Sequence, residues 1–269
     1  MACLQPDHGV LDPDWCVYPQ SRLRFRGPAR SLDGRFVAVV GGAEVFGRSV
    51  DAPFPALLEH RLGLPFVNLG LPNAGPDVFL GDEGVGTILR QAAVTVVQVL
   101  GAHNLTNRYY SVHPRRNDRF LAATPLLGAL YPAVDFTEFN FTRHMLSALA
   151  RRDPVAFDQV AAGLRATWLE RMLGLLDCVR GRRILLLLPE TMPLPVAGVC
   201  PNGPEPLLVT ESMVTALAAR ADGLVSLEPR GPGDGPTGAP SDDREAAWHA
   251  TIADRLAPPL AALLAMAGP

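Results

Sequence analysis

Arg35-Phe-Val-Ala-Val-Val-Gly-Gly-Ala-Glu-Val-Phe-Gly47 opens as an unbroken apolar run, stops at a glycine pair, and resumes as a short helix-compatible segment. An apolar run without polar alternation suits a strand covered on both faces, the condition of strands in a parallel sheet. The glycine pair marks a tight turn out of that strand. Backbone N–H groups in such a turn point at whatever sits above the sheet edge.

Four more runs of strand length follow. They are Leu64–Gly70, Ala93–Leu100, Arg183–Leu188 and Gly223–Leu227. Helical patterns lie between them. Phe54–Leu62 carries Leu57, Leu58 and Leu62 on one face, and Val155–Val179 repeats Leu164, Trp168, Met172, Leu175 and Leu176 at three- and four-residue steps. Thr210 is an N-cap residue type before a further helix. Residues 242–266 read as a C-terminal helix, interrupted at Pro258-Pro259. Strands alternating with helices predict right-handed crossovers and an α/β fold, a three-layer doubly wound parallel sheet of about five strands. Residues 1–34, rich in Pro, Asp and Arg, read as an irregular leader packed on a single domain that spans 35–269.

Composition narrows the function. The 269 residues suffice for one domain with a substantial core. The net charge of −3 argues against a nucleic-acid surface. No apolar stretch reaches the length of a bilayer span, and the N-terminus has acidic residues and prolines where a secretion signal has a basic start. A cytoplasmic protein without a membrane partner is therefore expected. Cys3, Cys16, Cys178 and Cys200 are scattered, with no paired spacing for zinc, so no metal or other cofactor is predicted. A Cys3–Cys16 bridge stays open, although a reducing compartment opposes it. Every basic residue is arginine.

Ligands of doubly wound sheets bind at the carboxyl ends of the strands. Three loops converge there: Gly41-Gly42-Ala43-Glu44, Asn68-Leu69-Gly70 with its continuation to Gly75, and Gly101-Ala102-His103-Asn104. The first lacks the spacing of a dinucleotide fingerprint, and no acidic residue closes the second strand.

In order, these blocks resemble those of the SGNH/GDSL hydrolases. Gly41-Gly42-Ala43 is similar to the nucleophile block, Gly70 to the second block, Gly101–Asn104 to the third with one extra residue, and His249 to the terminal histidine. The stretches 25–48, 101–120 and 135–144 further resemble an uncharacterised SGNH-like bacterial domain family. The resemblance implies a flavodoxin-like SGNH fold and an acyl-ester hydrolase or acyltransferase scaffold acting on a carbohydrate ester or another small polar ester. It implies a nucleophile at position 43, His249 as base and oxyanion donors from Gly70 and Asn104. Position 43 is alanine, by deliberate replacement or by loss, so no acyl-enzyme can form. The residue three before His249 is Ala246, leaving Asp243 and its neighbours Asp242 and Glu245 to support the imidazole. A rival reading is a non-catalytic member that binds a glycan or small ester.

Glu44, His103, Arg108 and Tyr109 are candidate substrate contacts beside these blocks. The polar, basic segment 107–119 reads either as a lid over the crevice or as a solvated loop. Phe136, Phe139 and Phe141 read as core packing or a homodimer contact ahead of a substrate platform. The proline-rich loop 189–206 is a candidate wall.

Overall fold

A computed structural model describes residues 14–189, 205–229 and 241–266. The chain begins with a two-stranded ribbon, β1 (Trp15–Cys16) and β2 (Phe25–Arg26). Then come β3 (Val37–Gly41), α1 (Ala43–Phe46), α2 (Phe54–Leu62), β4 (Phe66–Gly70), α3 (Pro76–Leu80), α4 (Glu83–Gln91) and β5 (Val94–Gln98). A hairpin follows, β6 (Tyr110–His113) and β7 (Arg116–Ala123), and after it α5 (Pro125–Leu130), a 3-10 turn at Phe136–Glu138, α6 (Thr142–Arg152) and the long α7 (Pro154–Asp177). The last elements are β8 (Arg182–Leu187), α8 (Glu211–Ala218), β9 (Gly223–Ser226) and α9 (Ser241–Met266).

The five strands that the apolar runs predict form one parallel sheet in the order β4-β3-β5-β8-β9. Numbered along the chain this is 2-1-3-4-5, the flavodoxin-like doubly wound order. Register places Gly41 opposite Gly70 and Val40 opposite Val97, so the three loops of interest leave the sheet at one edge. Successive side chains of a strand point to opposite faces. Ala38, Val40, Val97 and Leu185 accordingly join the core beneath α7, whereas Val37, Val39, Val96 and Leu186 join the core beneath α2 and α9.

Helix α7 is anchored by the fully buried Trp168, whose indole N–H donates to the Leu100 carbonyl at 2.8 Å. Helix α9 continues through Pro258 and Pro259 instead of breaking there. Leu256 before the prolines, and Leu260 and Leu264 after them, are buried against the sheet. Apolar burial on both sides outweighs the lost backbone bonds, which cost about 3 kcal/mol for a proline inside a helix.

Residues 107–119 form neither a free lid nor a plain solvated loop. The β6–β7 hairpin is fastened by Asn117, which is 1% exposed. Its Oδ1 accepts the N–H groups of Gly75 and Val78, and its Nδ2 donates to the His113 carbonyl. Gly75 is needed at that junction, because a Cβ there would fall 1.5 Å from the Asn104 carbonyl oxygen. The leader is fastened too. Arg26 donates to the carbonyls of Gly47, Val50 and Asp51, and Arg30 pairs with Glu59. Cys16 and Cys178 are free thiols, while Cys3 lies outside the described residues. Among the described residues no helix is long and apolar enough to cross a membrane.

Replacing Asn117 by alanine strands two buried N–H groups. Asn117→Ala should lower unfolding stability by about 2–4 kcal/mol in urea titrations. Arg115→Ala, on the exposed bend of the same hairpin, should cost under about 0.5 kcal/mol. Equal effects from the two would show that Asn117 does not fasten the hairpin.

Candidate functional site

A crevice of about 190 Å³ opens at the carboxyl edge of β3 and β5. Gly42, Ala43 and Glu44 form one side, Asn73 and Ala74 the next, and residues 98–101 with His103 and Asn104 the floor and far side. Arg143, Leu188, Glu205 and Pro206 complete it.

The turn at the end of β3 is locked by Gln98, a buried amide at the end of an otherwise apolar strand. Its Oε1 accepts the Gly42 N–H at 2.7 Å, and its Nε2 donates to Glu44 Oε2 at 3.0 Å. Gly41 permits this approach, since a Cβ there would lie 2.4 Å from Gln98 Oε1 and from Val45 Cγ2. Ala43, at the first position of α1, is exposed on the crevice wall. Position 43 and the loop ending in Asn104 therefore face one space.

Asn104 is buried and doubly held. Its Nδ2 donates to the Asn73 carbonyl at 3.0 Å, and its Oδ1 accepts from Thr142 Oγ1 at 2.7 Å. Among the described residues one Nδ2 hydrogen is left without a partner. His103 beside it is buried as well, with its carbonyl accepting from the Tyr110 hydroxyl at 2.6 Å. Burial, reinforced by the positive charge of Arg143, pulls the His103 imidazole down to a pKa of about 3. Arg143 forms an ion pair with Glu205, whose other oxygen accepts the Leu207 N–H at 2.8 Å.

A second cavity, about 470 Å³, shares Asn73, His103, Asn104 and Arg143 with the crevice. It extends the site past Asp118, Thr142 and Ser147 to Phe141. Phe141 is 42% exposed and lies under the Arg119 guanidinium, 4.4 Å from its ring centroid. Phe136 and Phe139 instead pack against the core.

Other expected site residues are placed elsewhere. Gly70 does not line the crevice. Its N–H donates to Asn68 Oδ1 at 2.9 Å, and its missing side chain makes room for α1, since a Cβ would fall 2.2 Å from the Phe46 nitrogen. His249 is buried on the α2 side of α9, stacked on Phe54, and its Nδ1 accepts the Phe54 N–H at 3.1 Å. It is not on the crevice wall. The Nδ1 lone pair is thus occupied by a backbone N–H. Asp243 is exposed on the same helix, six residues away, and helix neighbours lie three or four residues apart. Arg108 stacks on Tyr109 away from the crevice, and the Tyr109 hydroxyl donates to the Gln159 carbonyl at α7.

The site also includes Gln98, Asn73, Thr142 and Arg143, which sequence reasoning did not single out. Gln98 carried a signal, a polar residue inside Val94-Thr-Val-Val-Gln-Val-Leu100. Of the proline-rich loop, only its end at Glu205 and Pro206 is among the described residues that form the wall, and residues 190–204 lie outside them. Among the described residues no cluster of His, Cys, Asp or Glu could hold a metal ion.

Comparison with solved structures finds similar chains at low identity. A family 2 carbohydrate esterase with a carbohydrate-binding domain from Corynascus thermopiles (Myceliophthora fergusii) matches at 14% identity and a TM-score of 0.46, covering 89% of this chain and 69% of that one. A family 2 carbohydrate esterase from Clostridium thermocellum, in complex with cellohexaose, matches at 10% and 0.45, covering 90% and 68%. A protein assigned to the G-D-S-L family from Desulfitobacterium hafniense matches at 12% and 0.33, covering 82% and 99%. Among curated proteins no match was found. A family model, described as a domain of unknown function (DUF6473), matches residues 1–264, and the chain belongs to that family.

Proposed function

We propose that the crevice beside Ala43 binds a small polar ester or acylated sugar on an SGNH-type scaffold, and that the chain as written holds this ligand without turning it over. The observation that carries this reading is the convergence of Ala43 and Asn104 on one crevice at the carboxyl edge of the sheet. The free Nδ2 hydrogen of Asn104 suits an ester carbonyl, and the adjoining 470 Å³ cavity gives room for the rest of the ligand. The sugar component rests on the resemblance of the sequence blocks.

Two features support binding over catalysis. Alanine at 43 has no hydroxyl to attack a carbonyl. His103, the imidazole on the crevice wall, is too weak a base at neutral pH, because general-base efficiency peaks when the pKa lies near the working pH. A second reading, an esterase that needs only a serine at 43, draws on the intact turn that Gln98 holds in place.

One pair of variants separates these readings. Ala43→Ser should raise kcat/KM for p-nitrophenyl acetate by less than about tenfold, since a restored hydroxyl still lacks a matched base. A gain beyond about 100-fold would establish the esterase. Ala43→Phe places a ring in the crevice from an exposed position, so folding should survive. Binding of peracetylated methyl glucoside, measured by calorimetry, should be saturable in the original chain and lost in Ala43→Phe. Undiminished binding in that variant would remove the ligand from the crevice.

The buried imidazole also gives the protein a pH signature. The folded pKa of His103 lies far below its ordinary value of about 6.5, so the unfolded chain takes up the proton first as pH falls. This contribution to stability is complete above about pH 6.5. It declines by about 1.4 kcal/mol per pH unit down to the folded pKa, then levels off. Urea unfolding between pH 7 and 4.5 should show a shallower decline in His103→Gln than in the original chain. Parallel curves would mean that His103 titrates normally.

A further inference from the structure

The amino edge of the sheet, opposite the crevice, holds a cavity with a strong charge bias. Its volume is about 730 Å³, and five arginines line it: Arg35, Arg180, Arg182, Arg183 and Arg220. They are brought together by topology. Arg35 precedes β3, Arg180 lies between α7 and β8, Arg182 and Arg183 begin β8, and Arg220 precedes β9. Gly181 keeps this cluster tight, because a Cβ there would fall 2.3 Å from the Ala92 carbonyl oxygen.

Among the described residues two carboxylates pair with these charges. Asp222 pairs with Arg182 at 2.7 Å and Asp177 with Arg220 at 2.6 Å. Arg183 donates to the carbonyls of Arg220 and Val179, and Arg35 to that of Leu264. Such bonds orient a guanidinium without neutralising it. Arg180 forms no ion pair among the described residues and is exposed at the rim. Among the described residues the cavity therefore carries a local excess of three positive charges, in a chain whose net charge is −3.

We propose that this cavity binds a small molecule carrying two or more phosphate charges. Guanidinium forks match phosphate oxygens bidentately, and several held in place by the backbone cost little entropy to reuse. Mutual repulsion among the arginines is relieved when such an anion enters. A single carboxylate would leave most of the charge unanswered. The volume accommodates a nucleoside diphosphate as well as pyrophosphate, and the shared chemistry is the phosphate chain. The site lies about 17 Å from the crevice, the length of a five-residue strand, and its occupancy is independent of any ester binding there.

Calorimetry on the full chain with sodium pyrophosphate, in about 50 mM salt, tests this. One saturable event is expected, weakened at least tenfold in Arg180→Glu. Arg48→Glu, the same charge change on an exposed residue beyond the carboxyl edge, should shift affinity less than about twofold. ADP binding more tightly than pyrophosphate would identify a nucleotide as the occupant, and equal affinity would identify the phosphate chain alone. The inference is overturned by an absence of saturable heat up to about 5 mM ligand, or by equal losses in the two variants. Arg180 is exposed, so a matching thermal melt confirms that its variant is folded.

Discussion

The side-chain amide of Gln98 joins the two strands on which the candidate site is built. Its oxygen accepts the Gly42 N–H just past β3 and its nitrogen donates to a carboxylate oxygen of Glu44, so one residue on β5 sets where α1 begins. A buried amide is costly unless both of its ends are paired, and both are paired here. The arrangement allows no side chain at Gly41, because a Cβ there would collide with the amide itself. Position 43 owes its place on the crevice wall to this clamp. The crevice shape thus depends on a hydrogen bond between residues distant in the chain, and the glycine at position 41 is a consequence of it.

A second layer of the same kind surrounds Asn104. Its amide is held by Asn73 and Thr142, its carbonyl is crowded by Gly75, and Gly75 is in turn bonded by Asn117 from the hairpin. Three loops and a helix are thereby fixed through side-chain amides rather than through apolar packing. Such a network keeps a polar group aimed into the crevice in a rigid pose, which lowers the entropy cost of binding a carbonyl there.

The order of the sheet and its helices was largely legible in the sequence. Strands covered on both faces read as unbroken apolar runs, and α7 repeats its buried residues at helical spacing. What escaped depended on partners remote in sequence. Asn117 sits among arginines in a stretch that looks solvated, yet its side chain is enclosed by loops more than 35 residues away. The prolines of α9 look like a break until the leucines flanking them are seen to pack on the sheet. The order of short blocks pointed to the glycine turn and Asn104, and both line the crevice. Gly70 and His249 matched the same pattern, but a block match does not reveal who takes a hydrogen bond. Asn68 takes the amide of one, and Phe54 donates to the ring nitrogen of the other.

The two edges of the sheet solve opposite electrostatic problems. At the carboxyl edge the polar groups are mostly held by one another: Gln98 and Asn104 bond their neighbours, the Gln98 amide nitrogen donates to the half-buried Glu44 carboxylate, the His103 imidazole stays uncharged, and the Arg143 charge is matched by Glu205. A neutral carbonyl compound suits that environment, since a net charge brought in would have to be desolvated without a counter-charge. At the amino edge the arginines keep their charge, stay in contact with water and outnumber their acidic partners. There an anion gains attraction at little desolvation cost. Ligand class at each edge thus follows from how each set of charges is balanced, and the two would differ in their response to salt: binding of a neutral ligand in the crevice scarcely changes, binding of an anion in the arginine cavity weakens strongly.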